Sequence, residues 1–258
     1  MQITTLKPFC NTNIDIRYQF QPGSPMTFIF SGGYGIFNFE EPVQIALIDL
    51  LSKYSINWVQ YLYPERNPNN PFVDLYISTG LLSLSEIYAW VKKQVGTPIG
   101  LFGISFGGNI SIELALKETL HSLIIINAVF DYVDFRNKQL GGDSMEAWRN
   151  TFVTTLLYQN KQLPVCYRFI QEAEKQELEQ RAHNVNCDVY AFQGDSDPII
   201  SSKHIQELAA TTCNWHATII NGGDHIFDEK LAIDTFIKEI EPFIKVISET
   251  KLTPDASI

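Results

Sequence analysis

The sequence predicts an α/β protein built on a mostly parallel, twisted sheet with helices on both faces. Short β-rich runs alternate with amphipathic helical stretches along the chain, the pattern that crossover connections between parallel strands produce. Several strand candidates are continuous apolar runs, as strands covered on both faces must be. The chain has 258 residues, 45% hydrophobic and 19% charged, a size and balance that support one substantial core. A single domain over 1–258 is therefore expected, and no internal repeat interrupts it.

In chain order, strands are expected at 15–20, 26–30, 58–62, 99–104, 123–126, 189–192 and 217–220. The segment 83–95 sets Leu84, Ile87, Tyr88, Val91 and Val95 on one helical stripe, with Ser83 or Ser85 as N-cap. A second helix should start directly after Ser105 and run through Ile110, Leu114 and Ala115. The run 123–130 is the most apolar in the chain and is broken by Asn127. It is far shorter than the roughly 20 residues that cross a bilayer, so it reads as a buried strand and no membrane span is expected.

The alternation stops after Phe130, and about 131–182 reads as a small helical cap insertion. Within it Met145, Trp148, Phe152, Val153, Leu156 and Leu157 form an apolar stripe, while 171–181 is a polar run expected to be solvated. The last residues, 251–258, read as a frayed tail.

A formal net charge of −10 opposes association with phosphate backbones and anionic membranes, which argues against a nucleic-acid partner. The first residues lack the basic and apolar regions of a secretory signal, so a cytoplasmic protein is expected. Cysteines 10, 166, 187 and 213 form no C-x-x-C pair and no zinc-ligand spacing with histidine, so separate reduced thiols and no metal are expected.

Three segments carry chemistry. Gly103-Ile104-Ser105-Phe106-Gly107 places G-x-S-x-G between an apolar strand and a helical pattern, where a sharp turn presents a serine hydroxyl and the helix start directs free N–H groups at a developing oxyanion. An apolar strand then ends in Gly194-Asp195-Ser196-Asp197-Pro198, a loop with two carboxylates. A third strand runs into Gly222-Gly223-Asp224-His225. Loops after the carboxyl ends of strands in an open sheet line one crevice, so a serine, a carboxylate and a histidine can converge there. Asp224 is expected to be a turn residue. His121, His183, His204 and His216 show no partner in the sequence and are expected to play no part in the chemistry.

Together, G-I-S-F-G-G, G-D-S-D-P-I-I and G-G-D-H resemble the α/β-hydrolase superfamily over nearly the whole chain. The resemblance implies Ser105 as nucleophile, His225 as base and Asp197, which matches the family's G-x-x-D-x-x-V acid position, as the acid; Asp195 is the alternative. It also implies that the loop Ser31-Gly32-Gly33-Tyr34 stands where the family has H-G-G-x, with Ser31 replacing the histidine. The oxyanion hole would then be the N–H groups of Gly33 and Phe106, with Tyr34 the alternative to Gly33. No organic cofactor is implied.

Tyr34, Phe37, Phe39, Phe106 and Trp148 are expected to build an apolar wall, with Tyr34, Phe37 and Trp148 touching substrate. The expected substrate is a small ester or thioester with an apolar acyl group, cleaved through an acyl-enzyme. The alternatives are an acyltransferase or thioesterase that takes its acyl chain from an acyl carrier, and a non-catalytic receptor on the same fold.

Overall fold

A computed structural model of the chain describes residues 1–6, 13–34, 39–64, 74–158, 161–198 and 200–249. Ten strands are present among them: β1 (Gln2–Leu6), β2 (Ile14–Gln19), β3 (Thr27–Ser31), β4 (Asn57–Tyr61), β5 (Ile99–Ile104), β6 (Ser122–Ile126), β7 (Val153–Tyr158), β8 (Lys161–Cys166), β9 (Asp188–Gly194) and β10 (Trp215–Ile220). Eight form one sheet in the order β1-β2-β4-β3-β5-β6-β9-β10, and β7 and β8 make a separate hairpin. From β4 to β10 all pairings are parallel, whereas β2 runs antiparallel to both β1 and β4.

Helices cover both faces because the central strands are apolar on both. Phe28 and Phe30 of β3, Phe102 and Ile104 of β5, and Ile124 and Ile126 of β6 share one cluster with α1 (Pro42–Lys53) and α9 (Lys230–Glu249). The alternate residues Ile29, Leu101, Leu123 and Ile125 join the other cluster, as the two-residue period of a strand requires. That second face is covered by α2 (Ile77–Gln94), α3 (Phe106–Ala115) and α8 (Lys203–Thr211). Between β6 and β9 lie α4 (Tyr132–Leu140), α5 (Gly142–Thr151), the β7–β8 hairpin, α6 (Arg168–Ala173) and α7 (Leu178–Arg181).

All seven expected strands lie in the sheet, while β1 has no counterpart in the sequence reading. The helix expected at 83–95 begins at Ile77 instead. Ser83 and Ser85 are interior positions, whose hydroxyls donate to the Thr79 and Leu81 carbonyls four residues back. The reading of the insertion as helix throughout is corrected at β7 and β8. Phe152 takes a left-handed φ of 65° and closes α5 by donating its N–H to the Trp148 carbonyl, and the β-branched run Val153-Thr154-Thr155 that follows favours a strand. The stripe therefore splits: Met145 and Trp148 are buried, whereas Phe152 and Val153 are exposed. The tail 251–258 lies outside the described residues.

Among the described residues no helix is long and apolar enough to cross a membrane, no metal-binding cluster is present, and Cys166, Cys187 and Cys213 are free.

The strand order creates a switch point. The chain winds from β3 outward to β4, then crosses back over β3 to β5, so the loops after β3 and β5 leave the sheet side by side and open a crevice. Their approach is so close that a Cβ at Gly107 would lie 2.0 Å from the Ser31 carbonyl oxygen. Gly107→Ala is expected to lower stability by about 1–3 kcal/mol through this backbone collision, read as a reduced urea midpoint. A parent-like midpoint would mean that the two loops are not held together.

Candidate active site

Ser105 occupies the turn between β5 and α3 with φ 53° and ψ −113°, a strained conformation for a residue with a β-carbon. The surroundings fix it: its N–H donates to the Ile126 carbonyl at 2.9 Å, and its own carbonyl accepts from the Asn109 N–H at 3.1 Å. A Cβ at Gly103 would lie 2.5 Å from the Gly107 oxygen, so strand and helix meet at this turn only because both positions are glycine.

Beyond β9 the chain turns so that the Asp197 carboxylate is fully buried. Its Oδ1 accepts from the Ile200 N–H at 3.0 Å and its Oδ2 from His225 Nδ1 at 2.7 Å, with Gln193 Nε2 a longer donor at 3.4 Å. His225 Nε2 lies 2.9 Å from Ser105 Oγ. A ring whose Nδ1–H serves a carboxylate has Nε2 free as an acceptor, so the network makes the Ser105 hydroxyl the donor. The structure thus joins Ser105, His225 and Asp197 in one hydrogen-bonded line. Asp195 is outside it: its exposed carboxylate accepts from the Gly222 N–H at 2.8 Å and the Ser196 hydroxyl at 3.1 Å, tying the acid turn to the histidine turn. The Asp224 carboxylate accepts from the Asp228 N–H, as a turn residue does.

Two buried side-chain amides hold this arrangement. Asn127 is fully buried with φ 45°. Its Nδ2 donates to the Asp224 and His225 carbonyls, both at 2.8 Å, and its Oδ1 accepts from the Gly194 N–H at 2.9 Å. One residue at the end of β6 therefore binds the acid strand to the histidine loop. Asn109, also fully buried, exchanges hydrogen bonds with Gln176 of the insertion at 3.0 and 2.7 Å, so the expected solvated run 171–181 is buried at this point. The break in the apolar run at Asn127 was the visible signal for the first amide. No local pattern marks the second, because its partner is 67 positions away.

Ser31, where the histidine of H-G-G-x would stand, is buried, with its hydroxyl 3.0 Å from both Tyr61 and Tyr63 hydroxyls, and Tyr63 donates to the Gly32 carbonyl at 3.1 Å. Burial pushes both phenols above their ordinary pKa, so they stay neutral. Phe106 is the first residue of α3, so its N–H has no partner four residues back, and it lies beside the loop bearing Gly33.

The aromatic residues divide. Tyr34 packs edge-on against Phe106 at 5.7 Å and Phe169 at 5.6 Å, and burial raises its pKa. Phe37 lies outside the described residues. Phe39 belongs elsewhere: the Arg17 guanidinium sits 5.2 Å from its ring and donates to its carbonyl. Trp148 is 1% exposed and donates Nε1–H to the Val165 carbonyl at 3.0 Å, packing the interior of the insertion. Among the other histidines, His204 pairs with Glu179 at 2.9 Å in a groove that also holds His183, and neither Ser105, Asp197 nor His225 lines it.

The same architecture recurs in solved structures. Mouse alpha/beta hydrolase domain-containing protein 10 superposes with a TM-score of 0.75 over 96% of this chain and 100% of that one, at 19% identity. The chain has the α/β-hydrolase fold. Within that fold, Est1E from Butyrivibrio proteoclasticus matches with a TM-score of 0.77 (14% identity, 96% of this chain and 99% of that one). The esterase domain of a Rhodothermus marinus protein matches with 0.68 (12% identity, 95% and 99%). No protein-family model and no curated protein sequence matches the chain.

Asn127→Ala strands three backbone groups of the hydrolase-fold loops, and the expected loss is about 3 kcal/mol in urea unfolding. Asn127→Asp keeps the acceptor but not the donors and is expected not to rescue it. Parent-like stability of the alanine variant would show that the loops need no such tie.

Proposed function

We propose that the protein is a serine hydrolase that cleaves a carboxylic ester or thioester with an apolar acyl group through an acyl-enzyme. The observation that carries the reading is the continuous line from Ser105 Oγ through His225 to the buried Asp197 carboxylate, at 2.9 and 2.7 Å. Likeness in fold to proteins described as hydrolases and esterases supports it.

In this reading His225 Nε2 takes the Ser105 proton as Oγ attacks the carbonyl carbon, and Asp197 stabilises the imidazolium that forms. The N–H groups of Gly33 and Phe106 hold the tetrahedral oxyanion. The imidazolium returns the proton to the departing alcohol or thiol, leaving an acyl-serine. Water, deprotonated by the same imidazole, then releases the acid. Tyr34, partly buried, contributes apolar surface near the serine, while Phe106, expected in the same wall, is fully buried and only backs it. Trp148 acts on substrate only through the packing of the insertion.

A fluorophosphonate probe is expected to label Ser105 rapidly in the parent protein and not at all in Ser105→Ala. A protein that binds ligands without catalysis would remain unlabelled. Ser105→Ala and His225→Ala should each lower ester hydrolysis by about 10⁴-fold or more without adding in the double variant. Asp197→Asn should cost about 10³- to 10⁴-fold, while Asp195→Asn stays near the parent rate. Equal losses in the two aspartate variants would remove Asp197 from its role.

Chain length tests the acyl preference separately. Each buried methylene is worth about 0.8 kcal/mol at most, so kcat/KM for p-nitrophenyl esters should climb by up to a few-fold per carbon until the site is filled. Acetate as the best substrate would overturn the apolar reading.

A further inference from the structure

Arg136 is a buried cation with no counter-ion among the described residues. It is 4% exposed, and among the described residues it makes one hydrogen bond, from Nη1 to Gln139 Oε1, and no ion pair. Its Nε has no hydrogen-bond partner among them. One turn earlier on α4, at the i, i+4 spacing that puts two side chains on one helix face, the buried Tyr132 hydroxyl is likewise without a hydrogen-bond partner among the described residues. Two orphaned donors on one face are costly in a folded chain, since a buried polar group is ordinarily hydrogen-bonded and a buried charge ordinarily paired.

The place of these donors links them to the candidate active site. The guanidinium lies 4.9 Å from the Phe135 ring, 5.8 Å from Phe169 and 5.9 Å from Tyr34. The Tyr132 ring is 4.7 Å from Phe169 and 6.3 Å from Phe106, the residue after Ser105. Phe135 in turn lies 6.1 Å from the His225 ring. Cation and phenol therefore share the aromatic cluster that borders the serine and the histidine.

We propose that Arg136, with Tyr132, binds a carboxylate carried by the substrate, so that the preferred ester has an apolar body and an acidic end. The proposal rests on the serine hydrolase reading and names its substrate class. A single guanidinium presents a planar fork that matches one carboxylate, and the free Nε leaves one edge of that fork open. A phosphate monoester would bring up to two negative charges against one cation among apolar rings, and the surplus charge would be left uncompensated. The aromatic faces explain how the cation is held beside the site, because rings attract a guanidinium without neutralising it.

Two ester pairs test this on either side of the scissile bond: mono-(4-nitrophenyl) glutarate against its methyl ester, and 4-carboxyphenyl butyrate against its methyl ester. In one pair the free acid should be preferred in kcat/KM by about tenfold or more, what one charge-assisted hydrogen bond supplies, and Arg136→Gln should bring that ratio close to one. Should the variant fail to fold, protection of the parent protein decides: glutarate should slow fluorophosphonate labelling of Ser105, while dimethyl glutarate and butyl phosphate at equal concentration should not. Rapid labelling with no preference for either acid overturns the carboxylate site and leaves the hydrolase reading standing. Stronger protection by butyl phosphate also overturns it, in favour of a phosphate ligand. Absence of labelling overturns the hydrolase reading, and calorimetric titration with glutarate then reports on Arg136 alone, binding supporting the site and no binding refuting it.

Discussion

The candidate site depends on the three hydrogen bonds made by one buried amide. Asn127 directly follows the central strand β6, and from there it holds the Gly194 N–H on one side and the Asp224 and His225 carbonyls on the other. Each loop it touches would otherwise be free to drift, and a drift of about 1 Å is enough to break the 2.9 and 2.7 Å hydrogen bonds that join Ser105, His225 and Asp197. Close backbone approaches complete the frame. A Cβ at Gly194 would fall 2.0 Å from the Gly223 oxygen, just as one at Gly107 would strike Ser31. Neither contact leaves room for a side chain, so loop positions are set by backbone against backbone, which is stiffer than side-chain packing.

Much of this was legible in the sequence because strand, turn and helix succession is written locally. The G-x-S-x-G turn, the two-carboxylate loop and the glycine turn before His225 each announce themselves within a few residues, and the positions of Ser105, Asp197 and His225 follow from where such loops leave a parallel sheet. Choosing Asp197 over Asp195 needed the family resemblance, since both carboxylates sit in one short loop and only tertiary contacts distinguish a buried acceptor from an exposed turn staple.

What escaped was encoded at long range. The β7–β8 hairpin was hidden by a hydrophobic stripe that continues in sequence across Phe152, although the backbone reverses its handedness there. Phe39 reads as a pocket residue from its nearness in sequence to the glycine loop after β3, yet it packs on Arg17 of a distant strand. Arg136 shows nothing in sequence, since an arginine on a short polar helix is ordinarily solvated. Its burial is imposed by the insertion folding over it.

The hydroxyl group at Ser31 has a consequence for how the protein responds to its surroundings. An imidazole beneath the loop after β3 would change charge near neutrality and would carry the loop's electrostatics with it. Ser31 and its two tyrosine partners form instead a neutral proton-sharing knot, and burial keeps the phenols from ionising. The floor under Gly33 therefore stays uncharged across the physiological range, so acidity in the medium would leave the shape of this loop untouched.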